Sequence, residues 1–135
     1  MRLNLQIIGW VLIVLGIIHL LFPKYFKWRS EMNSISLINR QIMYVHTLFI
    51  GLMVFLMGIL CLTGSKELIE TRFGNIISLG FFIFWGVRLL VQFFGYSSTL
   101  WKGKPFETFI HWTFAVLFSY LTIVFFMIFY NGREN

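Results

Sequence analysis

"FFIFWGVRLLVQFFGY", residues 81–96, is an apolar and aromatic stretch interrupted by Arg88 and, one helical turn later, by Gln92. The whole chain has this character, since its 135 residues are 59% apolar and only 12% charged. Soluble domains average roughly 45–50% apolar and about 25% charged residues. The composition therefore predicts an integral membrane protein, and the length predicts one transmembrane domain that covers residues 1–135.

Four apolar runs are long enough to cross a bilayer as helices, which takes roughly 17–25 residues. They cover residues 5–22, 42–63, 74–96 and 106–130. Strands of a barrel would be shorter and would alternate in polarity, which these runs do not. We therefore expect an all-α integral membrane fold, a four-helix transmembrane bundle with both termini on the same side.

The connection between the first two runs mixes aromatic and basic residues: Lys24, Tyr25, Phe26, Lys27, Trp28 and Arg29. This mixture suits the headgroup layer, where rings lie at the boundary and cations lie at the phosphates. The sequence therefore predicts a short interfacial helix here. The second connection, "GSKELIETRF", is expected to be a polar turn, and Pro105 is placed to open the fourth helix.

The net charge of +6 is carried by short segments between the apolar runs. Anionic lipid headgroups explain these cations better than a nucleic acid does, so we expect a lipid bilayer as partner and no nucleic acid. Two connections carry most of them, at Lys24, Lys27, Arg29, Arg40, Lys102 and Lys104, against Arg2, Lys66, Arg72 and Arg133 on the other side. The positive-inside rule then places the termini outside the cytoplasm.

One face of the third run collects its polar residues. Steps of three and four residues place six side chains within roughly 80° of arc: Gly74, Ser78, Phe81, Trp85, Arg88 and Gln92. A charge that faced lipid at this depth would cost several kcal/mol or more, so this face is expected to point away from lipid.

The three histidines lie one per run, on the three runs that lack Arg88, each roughly 4–7 Å inside its end of the predicted helix. Because helix direction alternates, all of these positions belong to one leaflet. The sequence thus predicts a ligand-binding layer, which interhelical hydrogen bonding alone would also produce. Its residues are Arg88, Gln92, Trp85, His19, His46, His111, Arg40 and Asn39.

A metal or haem site is a second interpretation of the same layer. Glu107 and His111 are one turn apart, and with His19 and His46 they would suit zinc, iron or copper. Haem b would need two facing histidines and a groove of small residues, such as Gly9, Gly16, Gly51 and Gly58. Close helix packing is the commoner use of such glycines.

Three functions therefore stay open at this point. The first is binding of an anionic small molecule, lipid headgroup or quinone-like group, with charge from Arg88 and orientation by Gln92 and Trp85. The second is a haem- or metal-dependent membrane oxidoreductase. The third is a structural accessory subunit of an oligomer or larger membrane complex, in which Arg88 would pair with Glu107. No nucleophile elbow, phosphate loop or CxxC motif points to a particular enzyme class.

Overall fold

The computed structural model describes residues 1–133, and most of them are helical. The four long helices are α1 (Arg2–His19), α4 (Leu37–Thr63), α6 (Arg72–Phe94) and α7 (Pro105–Asn131). Each is long and apolar enough to cross a membrane. The short elements are α2 (Phe22–Tyr25), α3 (Trp28–Glu31), α5 (Ser65–Glu70) and two 3₁₀ turns, Met32–Ser34 and Ser98–Leu100. Residues 1–133 contain no strand, so the predicted all-α class is confirmed, with four spanning helices and a short helical segment between the first two.

Local hydrogen bonding explains where the helix ends differ from expectation. α4 begins at Leu37 rather than at residue 42, because the Ser36 hydroxyl accepts the Asn39 N–H and caps the helix. α1 ends at His19, and Pro23 lies in the first turn of α2, where its missing N–H costs nothing. The expected polar turn at residues 64–73 instead contains the helix α5.

The chain divides into two compact units, Arg2–Ser65 and the part from Lys66 onward. In the first unit α1 packs along α4, and in the second α6 packs along α7. We call these pairs the first hairpin and the second hairpin. Each pair is antiparallel, so the chain leaves each hairpin at the end where it entered. That the two hairpins together form one transmembrane domain stays a prediction.

Glycines bring the two backbones of the first hairpin into contact. A Cβ atom at Gly58 would lie 2.7 Å from the Gly9 carbonyl oxygen and 2.9 Å from the Ile13 nitrogen. A Cβ atom at Gly16 would lie 2.8 Å from the Gly51 carbonyl oxygen. Real Cβ atoms do not approach so closely, so only glycine permits this packing. The face considered as a haem groove is therefore filled by the partner helix.

Aromatic rings pack the second hairpin. The rings of Phe81 and Phe125 meet edge to face with centroids 5.1 Å apart, and Trp85 stacks on Phe118 at 5.6 Å. The predicted polar face of α6 points into the protein, since its members are buried or half-buried: Gly74, Ser78, Phe81, Trp85, Arg88 and Gln92.

We expect Gly58→Ala to lower the free energy of unfolding by about 1–3 kcal/mol, because the added methyl group would overlap backbone atoms of α1. Reversible unfolding in detergent micelles, followed by circular dichroism, measures the change. Gly80→Ala is the matched control, since a Cβ atom there would meet nothing within 4 Å. It should leave stability unchanged or raise it by up to about 1 kcal/mol, as alanine is the better helix former. Equal stability of the two variants would contradict the backbone contact.

Candidate ligand site in the second hairpin

The Arg88 side chain has polar and aromatic neighbours but no acidic one in residues 1–133. Its Nη1 donates to Gln92 Oε1 at 3.3 Å. Its guanidinium carbon lies 4.5 Å from the centroid of the Phe118 ring and 5.8 Å from that of Tyr96. Glu107, the partner expected in the structural interpretation, is exposed in the first turn of α7 and is not among these contacts. The charge is thus held by an amide and by rings.

Phe118 forms the apolar floor under Arg88. The ring is 3% exposed, and Trp85 stacks on it at an interplanar angle of 20°. A cation over a desolvated ring gains roughly 2 kcal/mol, so this contact fixes the arginine in place. The indole Nε1 of Trp85 is buried and has no hydrogen-bond acceptor in residues 1–133. Arg88 and Trp85 are therefore neighbouring donors on one face of α6.

Gln92 connects Arg88 to His111 across the hairpin. Its Nε2 lies 3.0 Å from His111 Nδ1 and 3.2 Å from the His111 carbonyl oxygen. Arginine can only donate, so the Gln92 oxygen must face Arg88 and its NH₂ group must face His111. His111 Nδ1 then accepts a hydrogen bond, and the neutral ring carries its proton on Nε2.

The connection between α6 and α7 covers the imidazole of His111. Trp101 stacks on it with centroids 3.9 Å apart and planes 12° apart. The hydroxyl of Thr108 donates to the Trp101 carbonyl at 2.6 Å, which ties this connection to α7. We call Trp85, Arg88, Gln92, Trp101, His111 and Phe118 the arginine site.

Sequence reasoning missed Trp101, Phe118 and Tyr96. Trp101 lies in a polar connection and resembles an ordinary interfacial aromatic residue. Phe118 is one of seventeen phenylalanines and carries no signal of its own. Tyr96 lies two residues beyond the end of α6, so helical spacing gave no signal for its contact with Arg88.

The histidines of the first hairpin do not face each other. His19 ends α1, where its Nδ1 donates to the Leu15 carbonyl at 2.7 Å and its β-carbon lies against Gly51. His46 is exposed and precedes Gly51 by about 1.4 helical turns, so it points to another face of α4. The first hairpin therefore does not supply the facing histidine pair that a haem would need.

The remaining predicted residues lie near the start of α4. Asn39 is exposed, and its backbone N–H is bound by the Ser36 hydroxyl at 3.4 Å. Arg40 is half-buried in the same turn. The structure thus brings Arg88, Gln92, Trp85 and His111 together within one hairpin. The ligand-binding roles predicted for His19, His46, Asn39 and Arg40 stay predictions.

The donor set for a metal divides between the hairpins. His19 and His46 belong to the first hairpin, and His111 and Glu107 belong to the second. Among residues 1–133, no three His, Cys, Asp or Glu side chains form a group that could hold a metal ion. The four-ligand metal set stays a prediction, and the second hairpin alone supplies two of its members.

The chain matches no family model, no curated protein and no solved structure. No ligand or residue role is therefore carried over to the arginine site from another protein. Its chemistry follows from the donors and rings that the structure places there.

The hydrogen bonds predict opposite tautomers for two histidines. The carbonyl bound by His19 only accepts, so its Nδ1 carries the proton, whereas His111 should carry its proton on Nε2. Nitrogen NMR of labelled histidine, recorded at mildly alkaline pH, distinguishes these forms. Gln92→Leu should remove the preference of His111 for the tautomer with its proton on Nε2, and it should leave the tautomer of His19 unchanged.

Thr113→Val is the control for this measurement, because its hydroxyl donates to the Phe109 carbonyl of its own helix. It should leave the tautomers of both histidines as they are in the parent. A protonated Nδ1 at His111 of the parent protein would contradict the order of donors in the arginine site.

Proposed function

We propose that the chain is a small multi-pass membrane protein that binds an anionic group, a carboxylate or a phosphate, at the arginine site. This proposal rests on the surroundings of Arg88. A guanidinium has five N–H donors, and in residues 1–133 the described acceptor is the Gln92 oxygen. A charge within a membrane-spanning helix is costly unless a partner compensates it. An anionic ligand supplies that partner.

The other polar groups of the site also favour an acceptor-rich ligand. Trp85 Nε1 is a donor without an acceptor in the described chain, and His111 Nε2 carries a proton in the inferred tautomer. A quinone-like ligand would offer acceptors but no charge, so it would leave the guanidinium uncompensated. A carboxylate or phosphate supplies both the negative charge and the acceptors, because its oxygens match the guanidinium fork.

Four residues of the arginine site then have distinct roles. Arg88 supplies the charge, and Gln92 fixes the orientation of both the guanidinium and the imidazole. Phe118 and Trp101 form apolar walls that keep water out and strengthen the ion pair. Transport, sensing and an accessory role in a membrane complex all begin with this binding step.

Dodecanoate and its methyl ester test the proposal, because they differ in charge and share one apolar chain. We expect calorimetric titration in lipid nanodiscs to show binding of the carboxylate and none of the ester. Arg88→Met should weaken that binding at least about tenfold, through loss of a charge-assisted hydrogen bond. Arg88→Lys should weaken it less, since it keeps the charge and loses the fork.

Arg133→Met is the matched control, because Arg133 also lies over a ring, that of Phe129 at 5.7 Å, but is exposed beyond α7. It should bind dodecanoate like the parent. Without ligand, Arg88→Met should stay folded and lose at most about 2 kcal/mol of stability, because removal of an uncompensated charge offsets the lost ring contact. Unfolding of Arg88→Met, or unchanged binding by it, would refute the proposal.

We also propose that the protein lies in the cell membrane with the α1–α4 and α6–α7 connections in the cytoplasm and the termini outside, because these connections carry the larger group of cations. An impermeant maleimide tests this in intact cells. Both Lys66 and Ser98 are exposed, so a cysteine at either position can reach the reagent. Lys66→Cys should react with the maleimide in intact cells, whereas Ser98→Cys should react only after the cells are permeabilised. The parent is the control, since Cys61 is fully buried. The reverse pattern would invert the orientation.

A further inference from the structure

The connection between α1 and α4 folds into an open basic groove of about 670 Å³. Three cations and three neutral polar side chains line it: Lys24, Lys27, Arg29, Ser30, Asn33 and Tyr44. No acidic residue is part of its lining. The groove belongs to the first hairpin, so its chemistry is independent of the arginine site.

Two features hold the groove in shape. The Trp28 ring meets the Tyr44 ring of α4 edge to face, with centroids 5.5 Å apart, and so fastens the short helices to the long one. Lys27, between α2 and α3, has a left-handed backbone with a φ of 52°. Side-chain-bearing residues rarely adopt this conformation, and it sets the bend between α2 and α3 on which Lys24, Lys27 and Arg29 are carried.

Exposed rings lie beside these cations. Tyr25 is 69% exposed and Phe26 is 53% exposed, and their rings meet edge to face at 5.0 Å. Aromatic rings next to basic side chains are typical of the boundary between acyl chains and headgroups. A free anion would contact the cations and leave the rings exposed to water. A lipid would contact the cations with its headgroup and the rings with its acyl chain.

We propose that this groove binds the phosphate of an anionic lipid headgroup, with Lys24, Lys27 and Arg29 around the phosphate oxygens. The hydroxyl of Tyr44 and the amide of Asn33 bind the polar part of the headgroup. The rings of Tyr25 and Phe26 contact the upper acyl chain. The site is a property of the connection between α1 and α4, and it holds the first hairpin to one leaflet.

Native mass spectrometry of the protein in detergent tests this with short-chain phosphatidylglycerol, phosphatidylcholine and inorganic phosphate. We expect phosphatidylglycerol to be retained most strongly. Lys27→Gly should lower its affinity about fivefold, the effect of one cation near the headgroups. Glycine adopts the left-handed conformation freely, so this variant keeps the turn while it removes the side chain that carries the ammonium group.

Lys102→Ala and Arg88→Met are the controls, one a lysine in another connection and the other a change in the arginine site. Both should bind phosphatidylglycerol like the parent. Lys24→Gln should reproduce the loss seen with Lys27→Gly and repeats the test if that variant unfolds.

Three results would overturn the proposal. Equal retention of inorganic phosphate or of phosphatidylcholine would refute an anionic lipid as the ligand. An equal loss in Lys102→Ala would show that net charge rather than the groove attracts the lipid. Unchanged affinity in both Lys27→Gly and Lys24→Gln would remove the groove as the site.

Discussion

Helices in a hydrocarbon solvent gain little by hiding apolar side chains from it, because lipid is as apolar as leucine. Each helix pair needs close backbone packing or polar bonds instead. The first hairpin uses the former, through contacts such as that of Gly58 with the Gly9 carbonyl. The second hairpin combines rings with polar bonds, from Asn75 and Gly132 at one end to Gln92 and His111 at the other. The polar bonds of the second hairpin involve Arg88, Gln92 and His111, which are the residues of the candidate ligand site.

The features of the fold that depend on the surrounding lipid were predictable from the sequence. The four spans follow from hydropathy and length alone, and their positions differ from the structure by a turn or so at the ends. The inward face of α6 also follows, because Arg88 and Gln92 could not both face lipid. The role of the glycines was harder to predict, because their spacing fits either a ligand groove or close helix packing: Gly9, Gly16, Gly51 and Gly58. Only the distances between the two helices decide that question.

Features that depend on helix rotation and loop path were not predictable. His46 was expected near the start of its helix, but the Ser36 cap moves that start to Leu37, so His46 lies roughly 13 Å into α4. Its rotation away from α1 depends on which face the glycines occupy. Trp101 reaches His111 only through the path of the α6–α7 connection, which no periodic pattern encodes. Local sequence therefore predicts which residues are costly to expose, and packing decides which of them meet.

The order of donors in the arginine site fixes which atoms of Gln92 face Arg88 and His111, and the charge of Arg88 restricts the kind of ligand that fits. Rotating the Gln92 amide by half a turn would point its NH₂ group at the Arg88 guanidinium, so the two donors would oppose each other. The amide therefore keeps its NH₂ group on His111 Nδ1, and that nitrogen accepts the hydrogen bond. Arg88 is the permanent charge of the arginine site, and it lies in a setting of low polarity where an unmatched charge is costly. We infer that a ligand with a single negative charge, a carboxylate or a phosphodiester, fits better than a dianionic phosphomonoester.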